Sequence, residues 1–305
     1  MQKNNRDSLI RCVYEAPCIL GEGPVWHPQE NRLYWVDIVA KTLHSLDPKN
    51  NHHHAWKMPA DICCVAPNKQ GGLIAALKQG IALLNPVSNH IHYLAELPKE
   101  LSDVCMFNDG HCDYQGRFWI GCKDLSESKS IAPIFQFTAR QQLIQQQTDC
   151  FIVANALVTS LDSRYFYIAD SPKRVIYRYD FDPDAGKIYN PRVFVKVPEE
   201  AGYPDGMTID SQGYLWGCHF NGWRVTRYDP DGQVDRVIPM PISAPTSCCL
   251  GGPDLKKLFI TSAKRDVTES ELKHQPLAGC VFAIDVDVPG VHEPFFNFEA
   301  LSKKD

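Results

Sequence analysis

The chain has 305 residues, a formal net charge of −5 and a pI near 6.1, and its apolar fraction is that of a globular protein. A mildly acidic chain without a clustered basic face is not expected to bind nucleic acid. The N-terminus is polar without a signal-peptide core, and no segment approaches the roughly 20 apolar residues of a membrane span. We therefore expect a cytoplasmic protein that does not enter membranes. Residues 1–305 should form a single domain, with an ordered core over about residues 10–298.

The twelve cysteines raise the possibility of a zinc site. Zinc ligands supplied by one short segment are usually paired two to four residues apart, whereas Cys63-Cys64 and Cys248-Cys249 are adjacent. Neighbouring side chains of a strand point to opposite faces, so such a pair cannot easily hold one ion. We expect reduced cysteines that pack as small hydrophobic side chains.

A short apolar strand recurs six times along the chain. Its copies are Arg32–Asp37, Gly72–Leu77, Arg117–Cys122, Tyr165–Asp170, Tyr214–Cys218 and Lys257–Ser262. One apolar residue in each copy can serve as an anchor: Leu33, Leu73, Phe118, Phe166, Leu215 and Leu258. Successive anchors are 40, 45, 48, 49 and 43 residues apart, which is the period of a four-stranded propeller blade.

The surroundings of the anchors repeat as well. Turn-forming residues precede most of them, and an alternating apolar and polar strand often follows, as in Thr42–Asp47. We predict an all-β protein, a six-bladed β-propeller of four-stranded antiparallel blades. Residues Arg11–Tyr14 or Phe295–Phe298 are expected to complete the last blade. A large β-sandwich is the alternative, but it would not predict so long and regular a period.

Four acidic or amide residues share one phase of this repeat. Glu22, Asn108, Asn155 and Asp205 lie 10 or 11 residues before an anchor. Equal phase in a propeller means equal radial position, so all four should lie on the innermost strands and point at the axis. Each motif taken singly is also a common turn former. Together, their oxygen atoms suit one divalent cation, Ca²⁺, Mg²⁺, Mn²⁺ or Zn²⁺.

Several motifs make the chain resemble the senescence marker protein, gluconolactonase and luciferin-regenerating enzyme family of sugar lactonases. They are Gly21–Trp26, Phe107–Gly110 through Trp119, Pro204–Met207 and Thr246–Gly252, and the likeness runs from about residue 15 to residue 290. The resemblance implies a six-bladed propeller that binds one divalent cation and hydrolyses aldonolactones, the cyclic esters of sugar acids. The partner would be a small-molecule sugar lactone, and the protein a monomer or a small homo-oligomer.

The resemblance also implies roles for individual residues. Glu22, Asn155 and Asp205 would be the metal ligands, and Asn108 would contact the substrate. The family usually has Arg where this chain has Met106, and Asn-Gly where it has Asn155-Ala156. Because Met106 replaces a hydrogen-bonding fork in the expected substrate pocket, it bears on which lactone is bound. Lys123 and Asp124 are candidates for replacement polar contacts.

The hypothesis for the reaction is metal-assisted ester hydrolysis, with activated water as nucleophile and Asp205 as general base. No Gly-x-Ser-x-Gly elbow occurs. Cys105 lies near His111 in sequence but lacks an evident third group to orient a catalytic triad. A non-catalytic calcium-binding or protein-interaction propeller is the alternative.

The sequence also predicts the structure of two further segments. The loop over residues 261–278 is either a lid or a solvated insertion. Within it, Thr268 with Glu271 could cap a short helical turn. The tract His52–His54 is expected to form a surface turn.

Overall fold

The computed structural model describes residues 10–15, 17–146 and 149–298. These residues form six four-stranded antiparallel sheets, arranged in a ring as a six-bladed β-propeller. The predicted fold class is confirmed. The first strands of the blades contact one another around the axis, so each blade runs outwards from its first strand.

Twenty-four strands and three short helical segments make up the described chain. The N-terminal strand and the first two blades comprise β1 (Arg11–Tyr14), β2 (Gly21–His27), β3 (Arg32–Asp37), β4 (Thr42–Asp47), β5 (His52–Lys57), β6 (Ile62–Pro67), β7 (Leu73–Leu77), β8 (Gly80–Asn85) and β9 (His90–Glu96). Helix α1 (Lys99–Ser102) precedes the third blade, which comprises β10 (Cys105–Cys112), β11 (Phe118–Asp124), β12 (Ile134–Phe137) and β13 (Leu143–Gln145). The fourth blade comprises β14 (Ala154–Thr159), β15 (Tyr165–Asp170), β16 (Val175–Asp182) and β17 (Lys187–Lys196).

The last two blades follow after a 3₁₀ turn at Glu199–Ala201. The fifth comprises β18 (Tyr203–Ile209), β19 (Leu215–Phe220), β20 (Arg224–Tyr228) and β21 (Val234–Pro239). The sixth comprises β22 (Pro245–Gly251), β23 (Lys257–Ser262) and β24 (Val281–Asp285), with helix α2 (Glu269–Leu272) between β23 and β24.

The two ends of the chain meet in the sixth blade. Strand β1 pairs with β24, with Arg11 opposite Ala283 and Cys12 opposite Phe282. The N-terminal strand is therefore the outermost strand of the blade that holds the last three strands. This closure confirms the expectation for residues 11–14 and protects the edge of β24.

Residues 295–298, the other candidate for closure, lie outside the blades. The C-terminal segment, residues 289–298, crosses the face of the ring where the first strands end. The Ser211 amide donates to the Pro289 carbonyl at 2.9 Å, and the Asn297 amide donates to the Gly116 carbonyl at 3.0 Å. Glu293 and Pro294 line the narrow end of the axial tunnel, so this segment closes it.

The six anchors occupy equivalent places in the second strands of the blades, and each is at most 1% exposed. Side chains of adjacent blades pack between the sheets, as where the Trp119 and Phe166 rings lie 4.7 Å apart. All twelve cysteines are free and ten of them are buried, as expected for small hydrophobic side chains.

Two local predictions can be compared with the structure. The tract at residues 52–54 is not a turn, because it begins β5, the outermost strand of the first blade. The Thr268 hydroxyl does accept a hydrogen bond from the Glu271 amide, at 3.3 Å, and this capping box begins α2. In the described part of the chain no helix is long and apolar enough to cross a membrane.

The C-terminal segment is anchored by one fully buried ring, which gives a test of its contribution. Phe296 is 0% exposed, and its ring stacks 5.8 Å from that of Phe137. Phe296→Ala should lower the free energy of unfolding by about 3–5 kcal/mol because it leaves a cavity between blades. Urea titration measures this, with half-buried Phe298→Ala as the matched control. Equal losses for the two variants would contradict this anchoring role.

Candidate functional site

The first strand of every blade departs from regular pairing at the same place. Each shift in register leaves extra residues on the inner strand, and such a bulge redirects side chains. The shifts fall at Glu22/Val25, Ile62/Cys64, Phe107/Gly110, Asn155/Val158, Pro204/Met207 and Pro245/Cys248. Residues at or within these bulges include all four that share one phase of the sequence repeat.

Glu22, Asn108, Asn155 and Asp205 line one cavity of about 350 Å³. It lies on the face of the ring where the first strands begin. The remaining lining comes largely from residues just before the first strands and from loops that follow the second strands. Examples are Leu20 and Asn221. The structure therefore brings together the four side chains that the sequence repeat places at the axis.

The two amides are held by hydrogen bonds. Asn108 Nδ2 donates to Asn155 Oδ1 at 2.7 Å and to the Ala154 carbonyl at 3.0 Å. Asn155 Nδ2 in turn donates to Ser171 Oγ at 2.8 Å. The Asn155 Oδ1 atom still has acceptor capacity after this contact. The network fixes the position of an amide oxygen beside the two carboxylates.

The two carboxylates have far less compensation. The Gly23 amide donates to Glu22 Oε2 at 3.2 Å, and no described side chain donates a hydrogen bond to Glu22 or Asp205. Burial, and then the charges of Asp205 and Asp109, raise the pKa of Glu22 well above its usual range. Burial, and then the charge of Asp109, do the same to the pKa of Asp205. A buried and a half-buried carboxyl group without a bonded cation are costly when ionised.

A third carboxylate, Asp109, lies towards the closed end of the tunnel. Its oxygens accept hydrogen bonds from the amides of Ala156 and Gly110, both at 2.8 Å. Burial raises its pKa although these two bonds oppose the shift. Ala156 has a left-handed backbone with φ of 55°, a conformation that favours glycine, and the Asp109 contact helps to hold it. The sequence singled out the Asn108-Asp109-Gly110 motif but not this role of Asp109.

The donor set fits a hard divalent cation. Glu22 and Asp205 offer carboxylate oxygens whose charge the Gly23 and Gly206 amides and Lys123 only partly offset, and Asn155 offers an amide oxygen. No three His, Cys, Asp or Glu side chains among the described residues form a metal cluster. A cation at this place would therefore depend on the amide as well as on the two carboxylates.

Two residues predicted to contact the substrate do not line the cavity. Met106 is buried in the core between blades and pairs with Lys123 on the neighbouring strand. Asp124 turns away from the cavity, and its carboxylate accepts hydrogen bonds from the Ser128 amide at 3.0 Å and the Lys129 amide at 2.8 Å. The Ser126 hydroxyl and then these amide bonds hold the pKa of Asp124 well below its usual range. Asp124 therefore organises the loop that follows β11.

The cavity mouth is lined by four charged residues, Lys123, Glu127, Arg265 and Asp266. The sequence indicated Lys123 as a polar contact and the loop that carries Arg265 and Asp266, but not Glu127. Lys123 Nζ lies 2.8 Å from Glu127 Oε1, and Arg265 Nη2 lies 3.3 Å from the same oxygen. Glu127 and Arg265 come from loops of the third and sixth blades, which have no periodic pattern. For Glu127 its charge was the one available signal, and charge does not distinguish it from a solvated residue.

Arg265 and Asp266 belong to the loop that was expected to be a lid or an insertion. Both line the cavity, so the start of this loop forms part of the mouth. Further along, the buried Gln275 Oε1 accepts a hydrogen bond from the Ser243 amide at 2.7 Å. The start of the loop is tied to Ile19, whose carbonyl accepts a hydrogen bond from the Arg265 amide at 2.9 Å, and its far end to Ser243 just before β22.

Cys105, the nucleophile of the rival mechanism, does not line this cavity. Burial raises the pKa of its thiol to about 11, so it is protonated near neutral pH. A protonated thiol is a poor nucleophile. The geometry therefore favours chemistry at the axial carboxylates over chemistry at this cysteine.

Comparison with known proteins agrees with the fold. Residues 20–264 match the family described as SMP-30/Gluconolactonase/LRE-like region. The chain belongs to this family. A 6-deoxy-6-sulfogluconolactonase of Pseudomonas putida is 39% identical over 292 residues, which are 95% of this chain and 99% of that protein. A pentonolactonase of Haloferax volcanii is 32% identical over 282 residues, covering 91% and 94% of the two chains.

Solved structures of the family share the architecture. A calcium-binding regucalcin from Agrobacterium tumefaciens superposes with a TM-score of 0.90 at 24% identity, over 95% of this chain and 97% of that one. A luciferin-regenerating enzyme superposes with a TM-score of 0.87 at 26% identity, over 96% and 100%. The family resemblance seen in the sequence motifs is confirmed.

The buried carboxylates predict how pH affects the metal-free protein. A carboxyl group whose pKa is raised on folding binds protons more tightly in the folded state than in the unfolded state. Stability is therefore lost as the pH rises above the unfolded value of about 4 towards the raised one. Asp205→Asn removes one such charge. In the presence of chelator this variant should have a higher Tm than wild type at pH 8, with a smaller difference at pH 5.

Thermal unfolding at both pH values measures this effect. Asp231→Asn is the matched control, because Asp231 is exposed on a turn of the fifth blade and should follow wild type at each pH. An Asp205→Asn protein no more stable than wild type at pH 8 would show that the buried charge is compensated.

Proposed function

We propose that this protein hydrolyses a sugar lactone to the sugar acid, with a divalent cation held by Glu22, Asn155 and Asp205. The observation that carries the proposal is the half-buried Glu22 and buried Asp205, whose carboxyl groups both have a raised pKa, beside a fixed amide in the axial cavity. The names of the relatives support the reaction, since the proteins from Pseudomonas putida and Haloferax volcanii are both lactonases.

The shape and lining of the cavity support a small polar substrate. Its volume of about 350 Å³ is in the range of small-molecule sites. The C-terminal segment closes the tunnel on the opposite side of the ring, where the remaining space is about 40 Å³. A substrate would therefore enter and leave by the one mouth that Lys123, Glu127 and Arg265 surround.

Opening a lactone requires water to attack the ester carbonyl and a proton to reach the departing ring oxygen. A divalent cation at the three ligands would supply Lewis acidity towards the carbonyl oxygen. We assign Asp205 as the general base that takes a proton from the attacking water. After the ring C–O bond breaks, the same carboxyl group can return this proton to the alkoxide. The products are one carboxylic acid and one hydroxyl group, so the atoms balance.

Asn108 is assigned to the substrate side of the site. It lines the cavity, and its amide nitrogen holds Asn155 in place. Its position beside the carboxylates would let it contact the reacting group while keeping the amide ligand oriented. The oxygen ligands suit Ca²⁺ and Mg²⁺ and can also bind Mn²⁺ or Zn²⁺.

A second candidate is a calcium-binding propeller without catalysis. The related regucalcin from Agrobacterium tumefaciens is described as a calcium-binding protein. The carboxylate pair alone would serve either role. The large cavity above it favours turnover, because a purely structural cation would not need an open site.

Replacement of Asp205 tests the assigned base. Asp205→Ala should lower kcat for lactone hydrolysis by at least roughly 10²–10⁴-fold, since both a positioned base and a ligand are lost. Acid release from a panel of sugar lactones, followed with a pH indicator, gives the rate. The control Asp231→Ala should retain wild-type turnover. An Asp205→Ala enzyme that keeps near wild-type activity with metal present would exclude this residue as the base.

Removal of metal tests the cofactor. Dialysis against chelator should abolish acid release, and addition of Ca²⁺, Mg²⁺, Mn²⁺ or Zn²⁺ one at a time should restore it with at least one ion. The same additions should raise the Tm of wild type, because a ligand that binds the folded state stabilises it. Glu22→Gln should reduce both responses. Full activity in the metal-free protein would contradict the proposal.

A further inference from the structure

We infer that Lys123 is the cation that binds the sugar portion of the substrate, with Glu127 and Arg265 as the residues that position it. This inference rests on the proposed function. It adds the residue that determines which sugar lactone the site prefers. It comes from the way one strand end and two loops arrange charge at the cavity mouth.

Lys123 lies near the end of β11, directly opposite Met106 on β10. Cross-strand partners project from the same face of a sheet, so these two side chains are neighbours. Met106 is buried and does not reach the cavity, whereas Lys123 lines it with 14% of its side chain exposed. Because Met106 is apolar, no second cation lies opposite Lys123 on β10. The Met106 side chain can instead support the aliphatic part of Lys123.

The ammonium group of Lys123 has hydrogen-bonding capacity to spare. It can donate three hydrogen bonds, and Glu127 Oε1 at 2.8 Å is its one partner in the described part of the chain. Arg265 Nη2 contacts the same oxygen at 3.3 Å, so a single carboxylate oxygen serves two cations. Donors on both cations remain available to the oxygen atoms of a bound polyhydroxy ligand.

The loop that carries Glu127 is built in a fixed shape. The Glu127 amide donates to the Asp124 carbonyl at 3.0 Å, and the Asp124 carboxylate binds the next two amides. Glu127 itself has a left-handed backbone with φ of 50°, which is unfavourable for a residue with a side chain. Backbone strain of this kind persists where the surroundings enforce it, often at functional sites. The loop thus holds the carboxylate that fixes the Lys123 ammonium.

This arrangement matches the chemistry of a sugar lactone. A hydrogen bond from an ammonium group to a hydroxyl oxygen is stronger than one between neutral groups. Lys123 lies in the same cavity as Asp205 and Asn108. It can therefore bind hydroxyl groups of the lactone ring while the ester lies at the carboxylates. Such contacts are made equally in the bound substrate and in the transition state, so they act on KM more than on kcat.

Lys123→Met tests the inference while keeping a straight side chain of similar length. We expect KM for the preferred lactone to rise roughly 10-fold or more, the loss typical of a hydrogen bond to a charged group, with kcat changed less than about threefold. Lys129→Met is the matched control, because Lys129 is exposed on the same loop and does not line the cavity. The control should keep the wild-type KM.

Two further measurements separate binding from folding. Lys123→Arg keeps a charged donor, so its KM should lie close to the wild-type value. If Lys123 acted only by packing, Lys123→Arg and Lys123→Met would raise KM to the same extent. Within a panel of monodeoxy lactones, the analogue that lacks the contacted hydroxyl should have the same KM with wild type and with Lys123→Met. A Tm within a few degrees of wild type confirms that each variant is folded.

The outcomes distinguish this inference from the proposed function. An active wild type together with an unchanged KM in Lys123→Met would overturn the role of Lys123 and leave the lactonase proposal intact. Loss of kcat without a change in KM would likewise overturn it, since that would place Lys123 in the chemical step. A wild type that hydrolyses no sugar lactone would overturn both.

Discussion

The repeated bulge in the innermost strands is the constraint on which the rest of the site depends. A regular strand would direct alternate side chains into the two neighbouring blades. The shift in register next to Glu22, and the equivalent shifts in the other five blades, instead leave residues free to face the axis. The ring then brings together side chains that are more than 180 residues apart in the chain, such as Glu22 and Asp205.

This convergence has an electrostatic consequence. Half-buried Glu22 and buried Asp205 lie near each other and near Asp109, and each of the three has a raised pKa mainly because removal from water disfavours its charge. Such an arrangement lowers the stability of the folded protein unless a bound cation neutralises the charge. The fold otherwise supports the ring strongly, through the outermost β1 strand and through the C-terminal segment that closes the tunnel. The site therefore lowers stability locally, and the contacts of the surrounding propeller compensate for this loss.

Much of this could be predicted from the sequence because a propeller is periodic. The anchors near residues 33 and 118 repeat at blade spacing, and the same spacing places Glu22, Asn108, Asn155 and Asp205 at one radius. Met106 and Asp124 were predicted to contact the substrate, but neither side chain lines the cavity. The sequence offered Lys123 and Asp124 as equivalent candidates. Neighbouring side chains of a strand point to opposite faces. Only the tertiary structure shows that Lys123 faces the cavity, while the Asp124 carboxylate binds amides of its own loop.

The sequence by itself determined the number of blades, their approximate bounds and the identity of four residues that line the axial cavity. It could do so because these features recur with the repeat and are set by local strand and turn preferences. The tertiary structure alone decided which terminus completes the sixth blade, that residues 289–298 close the tunnel, and that Glu127 and Arg265 meet at the mouth. These contacts join loops from distant parts of the chain and follow no period. They depend on the closed ring, which places those loops side by side.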